Sequence, residues 1–280
     1  MRRTSDCGTE DSSECPAFPE STDMHDILSR IARWAPHPHV KTSETDVVKR
    51  GPLRSIAVEA AKTRSARELA EETGLFRVPK IHAHDTQDGV IRFERLDGFV
   101  PIIQPIAYGR RGNALIERMA VVLALIHDRL VLPDEFREEL VSTWRCKRRC
   151  TEVIHGDFNT DNLMYNKERD EIAIVDWSVS PLLGGEGSVG CRCVDVAWFA
   201  KSLFFRPAAY VFSHPPAPHA DLFVNAYEQA RGSPLDRAVL CEFGRHFWEV
   251  YVANLKRRRT GYWFHWRQQF AFRRYVERGM

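Results

Sequence analysis

The sequence predicts an α+β fold in two lobes, a small sheet-plus-helix N-terminal lobe and a larger, mainly helical C-terminal lobe. Three observations carry this. Residues 40–97 read as strand, helix, strand, strand. Leu115, Met119, Val122, Leu123, Ile126 and Leu130 recur at helical spacing. From about His219 onward the chain is helical in pattern and rich in aromatic residues. A chain of 280 residues, 44% apolar, is long enough to bury a sizeable core and suits one two-lobed enzyme or two modest domains.

The elements follow in order. Residues 1–22 mix Ser, Thr, Glu, Asp, Pro and Gly and are expected to be a disordered lead-in. A short helix through Ile27, Leu28 and Ile31 is expected from near Met24, ending before Pro36 and Pro38. The N-terminal lobe is assigned to 23–97 and the C-terminal lobe to 98–280. Ser43-Glu44-Thr45-Asp46 divides two extended runs between Val40 and Lys49, the pattern of a hairpin. After Gly51-Pro52 a helix is expected from about Ser55 to Thr73, closed by Gly74, although its apolar stripe is weak. Pro79 introduces an extended run through Ile81, and Val90–Leu96 reads as a strand ending at Asp97-Gly98. Val153-Ile154-His155 is a short apolar entry into a loop. Leu163–Tyr165 and Glu171–Val175 are two strands joined by a polar turn, and Val194–Phe205 is a buried helix with Asp195 near its start.

Composition narrows the function classes. The net charge of +2 gives the whole chain no bulk attraction to nucleic acid or an anionic membrane, so neither is expected as a partner. No apolar run approaches the length that crosses a bilayer. The cysteines are Cys7, Cys15, Cys146, Cys150, Cys191, Cys193 and Cys241, odd in number and irregularly spaced, and residues 1–22 lack the apolar stretch of a signal peptide. Reduced thiols and a cytoplasmic location are the expectation. Cys191-x-Cys193 lacks a second clustered pair of ligands and is read as ordinary thiols rather than zinc ligands.

Chemistry concentrates in Val153-Ile-His-Gly-Asp-Phe-Asn-Thr-Asp-Asn-Leu-Met-Tyr165, followed by Ile172-Ala-Ile-Val-Asp-Trp177. Phosphoryl transfer from ATP needs a divalent cation on hard oxygen ligands and a carboxylate that orients the attacking hydroxyl and accepts its proton. Asp157 lies on the loop, Asn162 follows five residues later, and Asp176 stands one hairpin further on, folded back beside the loop.

At these residues the chain resembles the aminoglycoside phosphotransferase/choline kinase-like superfamily, which is related to protein kinases. The resemblance covers roughly residues 40–205 and implies a protein-kinase-like fold and an ATP- and Mg-dependent phosphotransferase. It implies Asp157 as catalytic base, Asn162 and Asp176 as magnesium ligands, and His155 as a brace of the loop. A kinase-like site also needs a strand lysine on the phosphates and a helix glutamate to hold it. Lys49 is the lysine, and Glu59 is favoured over Glu68 as its partner. Backbone groups between Glu94 and Leu96 would receive adenine. His127 is read as a packed or surface helix histidine, and Asp195 either braces the loop or caps its helix. One departure is plain: Arg33–Val48 contains no glycine, where a phosphate-covering loop normally uses several. Ser43 or Thr45 is the candidate to do part of that loop's work.

The acceptor is expected to be a small-molecule alcohol. Asn159 stands where protein kinases carry a basic residue, Trp177 follows Asp176, and no Ala-Pro-Glu segment occurs. The tail carries Arg245, Lys256, Arg257, Arg258, Arg259, Arg267, Arg273, Arg274 and Arg278 among Trp248, Tyr251, Tyr262, Trp263, Phe264 and Trp266. If that segment faces the cleft, a polycationic aminoglycoside is not expected as acceptor. The alternatives are a solvated basic face and, in function, a pseudokinase that binds nucleotide or a partner without turnover.

Overall fold

The computed structural model describes residues 39–108, 111–140, 144, 150–184, 187–205, 216–258 and 266–280. The lead-in, the helix expected near Met24, Cys7, Cys15, Cys146, Arg259, Tyr262, Trp263 and Phe264 lie outside them.

The first unit is a four-stranded antiparallel sheet of β1 (His39–Thr42), β2 (Asp46–Arg50), β3 (Ile81–Asp85) and β4 (Val90–Glu94), in the order β1-β2-β4-β3. The polar cluster makes the expected turn: Ser43 Oγ accepts from the Asp46 amide at 3.0 Å. That hydroxyl therefore closes its own turn. The strand after Pro79 begins at Ile81, where the expected run was to end, because Val78–Lys80 are spent crossing from helix to sheet. Helix α1 (Leu53–Thr73) ends on Gly74 at φ 65°, whose N–H reaches Ala70 O at 2.8 Å. The left-handed turn needs a residue without a Cβ penalty.

The weak apolar stripe of α1 now has a reason. The helix buries Glu59, Lys62 and Thr63 together with Ile56, Ala60 and Leu69. Ile56 and Ala60 pack on Ile91 of the sheet, whereas Ala66, Leu69 and Ala70 join the large core of the second unit. One helix thus packs into both halves of the molecule.

The second unit contains β5 (Val100–Pro101), α2 (Ile103–Tyr108), α3 (Gly112–Arg129), β6 (Glu152–Val153), β7 (Leu163–Asn166), β8 (Glu171–Ile174), β9 (Val189–Gly190), α4 (Cys193–Phe204), α5 (Pro216–Arg231), α6 (Arg237–Arg258) and α7 (Trp266–Glu277). β7 and β8 form the expected hairpin, with β5 added on its outer edge, and β6 pairs with β9. Helix α3 packs against α5, and α4 against α5 and α6. Every residue of α4 is buried. Phe199 stacks on Phe223 at 4.1 Å and Trp198 on Phe247 at 4.5 Å between ring centroids, so α4 forms the axis of an aromatic core. Short two-residue strands and α2 carry no period long enough to read from sequence. No helix among the described residues is long and apolar enough to cross a membrane.

Candidate active site

The sheet and the β7–β8 hairpin face each other across a cleft of about 330 Å³. Lys49, Glu59, Glu94, Leu96, Asn162 and Asp176 all line it, with Val40, Val47, Phe93, Met164 and Trp177 as apolar walls. Asp157 and His155 stand behind Asn162 and are not among its lining residues.

Lys49 closes the cleft from the sheet side. Its Nζ donates to Glu59 Oε1 at 3.0 Å, Asp176 Oδ1 at 2.7 Å and Ser178 Oγ at 3.1 Å. Glu68 is exposed and takes no part, so Glu59 is the glutamate that meets the lysine. Burial works against the charge on Lys49, but the Glu59 and Asp176 carboxylates outweigh it and hold its pKa up at about 12. Burial raises Glu59 to about 7 against the pull of Lys49. For Asp176 the balance reverses: burial is overcome by Lys49, and its pKa falls below the usual carboxylate value.

The hairpin brings the two distant oxygen ligands together. The Val175 amide donates to Asn162 O at 2.9 Å, which continues the β7–β8 ladder and sets Asp176 beside Asn162. Asp176 then turns at φ 54°, a left-handed conformation that Asp tolerates better than most residues. Its side chain is 40% exposed, with Oδ1 on Lys49 and Ser178 and no partner on Oδ2 among the described residues.

Asp157 accepts three side-chain hydrogen bonds: from Asn159 Nδ2 at 3.0 Å, Asn162 Nδ2 at 2.8 Å and Trp198 Nε1 at 2.8 Å. Burial, and then the charge of Asp176, push its pKa up to about 6 in spite of these donors. The loop beneath it is held by Asp195, whose two oxygens accept the amides of His155 (2.7 Å) and Gly156 (2.8 Å). Asp195 is thus a brace and not a helix cap. His127 reaches the same carboxylate at 3.0 Å and the Tyr227 hydroxyl at 2.8 Å, fully inside the protein. Burial alone would raise Asp195, but the His127 bond and charge outweigh it and keep it ionised. Gly156 sits at φ 79°, and a Cβ there would come 2.9 Å from Val179 Cγ2.

His155 is fully buried, stacks 4.7 Å from Trp177, and accepts the Asp157 amide on Nδ1 at 3.2 Å. Burial, then the Lys62 ammonium, lower its pKa to about 4, so it is a neutral positioning residue. Sequence reasoning missed Lys62, Asn159, Ser178 and Trp198. Lys62 donates from α1 to His155 O at 2.6 Å and ties the first unit to the loop; burial lowers its pKa to about 8. Its signal was in plain view: a lysine one turn from Glu59 on a helix whose apolar stripe is incomplete.

At the Glu94–Leu96 end of the cleft, the Glu94 amide is spent on Lys80 O and the Arg95 amide on Thr45 O. Leu96 forms no backbone hydrogen bond among the described residues. The Glu94 side chain pairs with Arg77.

Residues 129–243 match the model of a phosphotransferase enzyme family. In that stretch and in its fold the chain resembles the aminoglycoside phosphotransferase/choline kinase-like superfamily. Its two-lobed protein-kinase-like fold recurs in solved members of that superfamily. A choline/ethanolamine kinase family protein from Mesorhizobium loti superposes with a TM-score of 0.56 at 13% identity, covering 90% of this chain and 94% of that one. Choline kinase LicA from Streptococcus pneumoniae gives 0.51 at 12% identity, covering 86% and 90%. A glucosamine kinase in complex with glucosamine, ADP and inorganic phosphate gives 0.53 at 13% identity, covering 91% and 84%. Among curated proteins no significant sequence match is found.

Proposed function

We propose that this chain transfers the γ-phosphoryl group of ATP to the hydroxyl of a small-molecule alcohol. The observation that carries the reading is the ion-pair chain Glu59–Lys49–Asp176 that spans the cleft, with the Asn162–Asp157 pair beside it. A lysine so placed, with three donors and a pKa held high, suits the α- and β-phosphates. Leu96 offers its backbone to adenine between Val40, Val47, Phe93 and Met164.

The donor set fits magnesium. Asp176 Oδ2 and the Asn162 carboxamide oxygen are both without a protein donor among the described residues, and both are hard oxygens at one cleft. A cation held by these two oxygens would draw its remaining ligands from phosphates and water. When bound, Mg²⁺ would neutralise charge on the β- and γ-phosphates. Asp157 accepts the proton of the attacking hydroxyl as the new O–P bond forms and the bond to the ADP oxygen breaks. Lys49 holds the departing diphosphate, and Asp195 holds the backbone of the loop that aims Asp157.

The acceptor class is a small-molecule alcohol. The tail gives no reason to exclude a polycationic aminoglycoside: the basic residues there whose side chains are described, Arg245, Arg267, Arg273, Arg274 and Arg278, are exposed to solvent, where screening weakens their field.

The test is ADP release over a panel of small alcohols, sugars and antibiotics, repeated with Asp157→Asn. The variant is expected to keep nucleotide affinity and lose turnover by a factor on the order of a hundred or more. A variant that turns over its acceptor at the wild-type rate would remove Asp157 from the chemistry. A wild-type protein whose melting temperature ignores ATP and Mg·ATP, and which releases no ADP with any acceptor, would favour the pseudokinase instead.

A further inference from the structure

Ser178 joins Lys49 to Asp176. Its Oγ lies 3.1 Å from Lys49 Nζ and is hydrogen-bonded to Asp176 Oδ1. The direction of both bonds is forced. An ammonium only donates and a carboxylate only accepts, so the hydroxyl accepts from the lysine and donates to the aspartate. Asp176 Oδ1 therefore has two side-chain donors, Lys49 at 2.7 Å and Ser178. The Ser178 amide stands further off, at 3.4 Å. The local chain explains the placement. Trp177 turns into the core, 1% exposed and against His155, while Asp176 and Ser178 on either side of it both reach Lys49. Two residues on, the Ser180 amide donates to Gly156 O at 2.9 Å. The backbone of Ser178 is thus pinned between the core and the loop that carries Asp157.

The two donors differ in what a nucleotide does to them. The Lys49 ammonium has three protons, and here they meet Glu59, Asp176 and Ser178. A lysine that turns to the phosphates gives up part of that set. Ser178 has no second anion to serve. A carboxylate rotates about a broad, roughly two-fold torsion, and a donor fixed on one oxygen decides which oxygen faces outward. We propose that Ser178 is a positioning residue for the cation: its hydroxyl keeps Asp176 Oδ1 engaged when Lys49 moves to the phosphates, and so keeps Oδ2 turned to the metal. The inference deepens the phosphotransferase reading and rests on Asp176 being a ligand of that metal.

The experiment is calorimetric titration of ATP into the full chain without acceptor, once with Mg²⁺ and once with EDTA in its place. Ser178→Ala is expected to bind Mg·ATP at least about tenfold more weakly than the wild type, the scale of one hydrogen bond to a charged group. Its affinity for metal-free ATP should be unchanged, whereas a merely structural role would weaken both forms alike. Ser178→Thr keeps the hydroxyl and should recover the wild-type affinity. If Ser178→Ala loses its near-UV circular dichroism, Ser178→Cys, close in size and a weak donor, is held to the same criterion. The proposal is overturned by a folded variant that binds Mg·ATP normally, by an equal loss with and without metal, by no recovery in Ser178→Thr, or by a wild type indifferent to Mg²⁺. Because the readout needs no turnover, the two readings fail separately. ADP release by a protein whose Ser178→Ala variant binds Mg·ATP normally refutes the role of Ser178 alone. A selective loss of Mg·ATP affinity in a protein that releases no ADP with any acceptor supports that role and refutes only the phosphotransfer reading.

Discussion

At the scale of single residues, Asp157 keeps its carboxylate in a buried place because three donors converge on it, and Trp198 is the one supplied from outside its own loop. Trp198→Phe keeps an aromatic ring on α4 and removes the indole N–H together with the fused five-membered ring. A hydrogen bond to a charged group is worth about 1.5–3 kcal/mol, and about 1.4 kcal/mol is one pKa unit. The acid limb of the rate profile, set by Asp157 at about 6, is therefore expected to move upward by about one pH unit in the variant. Rates of ADP release from pH 5 to 8 check this, and an unmoved limb would count against Trp198 as a positioning residue. His155 gives a second pH effect with a definite sign. Folding lowers its pKa to about 4 from an ordinary value of 6.5. Above pH 6.5 both states are neutral and its contribution is complete. As pH falls towards 4, the unfolded chain takes up a proton that the folded chain refuses, and stability is lost. The loss between pH 7 and pH 5 should be about 2 kcal/mol, read by urea unfolding, and should vanish from the pH slope in His155→Gln.

At the scale of elements, the start of α4 supports the loop that carries Asp157. Asp195 lies in its first turn and turns both oxygens away from its own helix to the amides of His155 and Gly156. Asp195→Asn keeps the size but leaves only one oxygen for these donors. Loss of one buried acceptor costs about 1–3 kcal/mol. Turnover should fall far more than ATP affinity, because Lys49, Asp176 and Leu96 are untouched. Unfolding midpoints and nucleotide titration check the two halves. The hairpin works differently: its ladder, extended by Val175 to Asn162, delivers Asp176 to the cleft without any dedicated bracing side chain.

At the scale of the whole molecule, the cleft exists because two units meet, and polar side chains bridge them, at the rim through Arg54 to Glu135 O, Arg77 to Glu171 and Arg129 to Glu72. Lys49 crosses to Asp176 and Ser178, and Lys62 crosses to His155 O. A nucleotide bound between these units stabilises both together. At a hundred times its Kd, Mg·ATP should add about 2.7 kcal/mol to the unfolding free energy, seen as a raised melting temperature. Lys49→Met should abolish most of that gain, and a full gain in the variant would displace Lys49 from nucleotide binding. Lys62 was passed over in the sequence because a lysine on a helix is ordinarily solvated, although its place one turn from Glu59 was legible. Trp198 was invisible because an aromatic residue in an apolar helix is ordinarily core, and here it is both.

The sequence by itself determined the order of elements and the grouping of Asp157, Asn162 and Asp176. Alternation, turn residues and loop spacing are local properties, and a hairpin of fixed length returns the chain to a fixed place. It also determined that Lys49 lies on a strand, which runs one residue further to Arg50, and that Glu59 follows on a helix. Tertiary structure alone decided between Glu59 and Glu68, made Asp195 a brace instead of a cap, turned the described arginines of the tail to solvent, and set Lys201 among aromatic rings. Each of those outcomes depends on which distant element packs against a given helix face. The interactions concerned span from ten residues, Lys49 to Glu59, to more than a hundred, Lys49 to Asp176, and no local period records them.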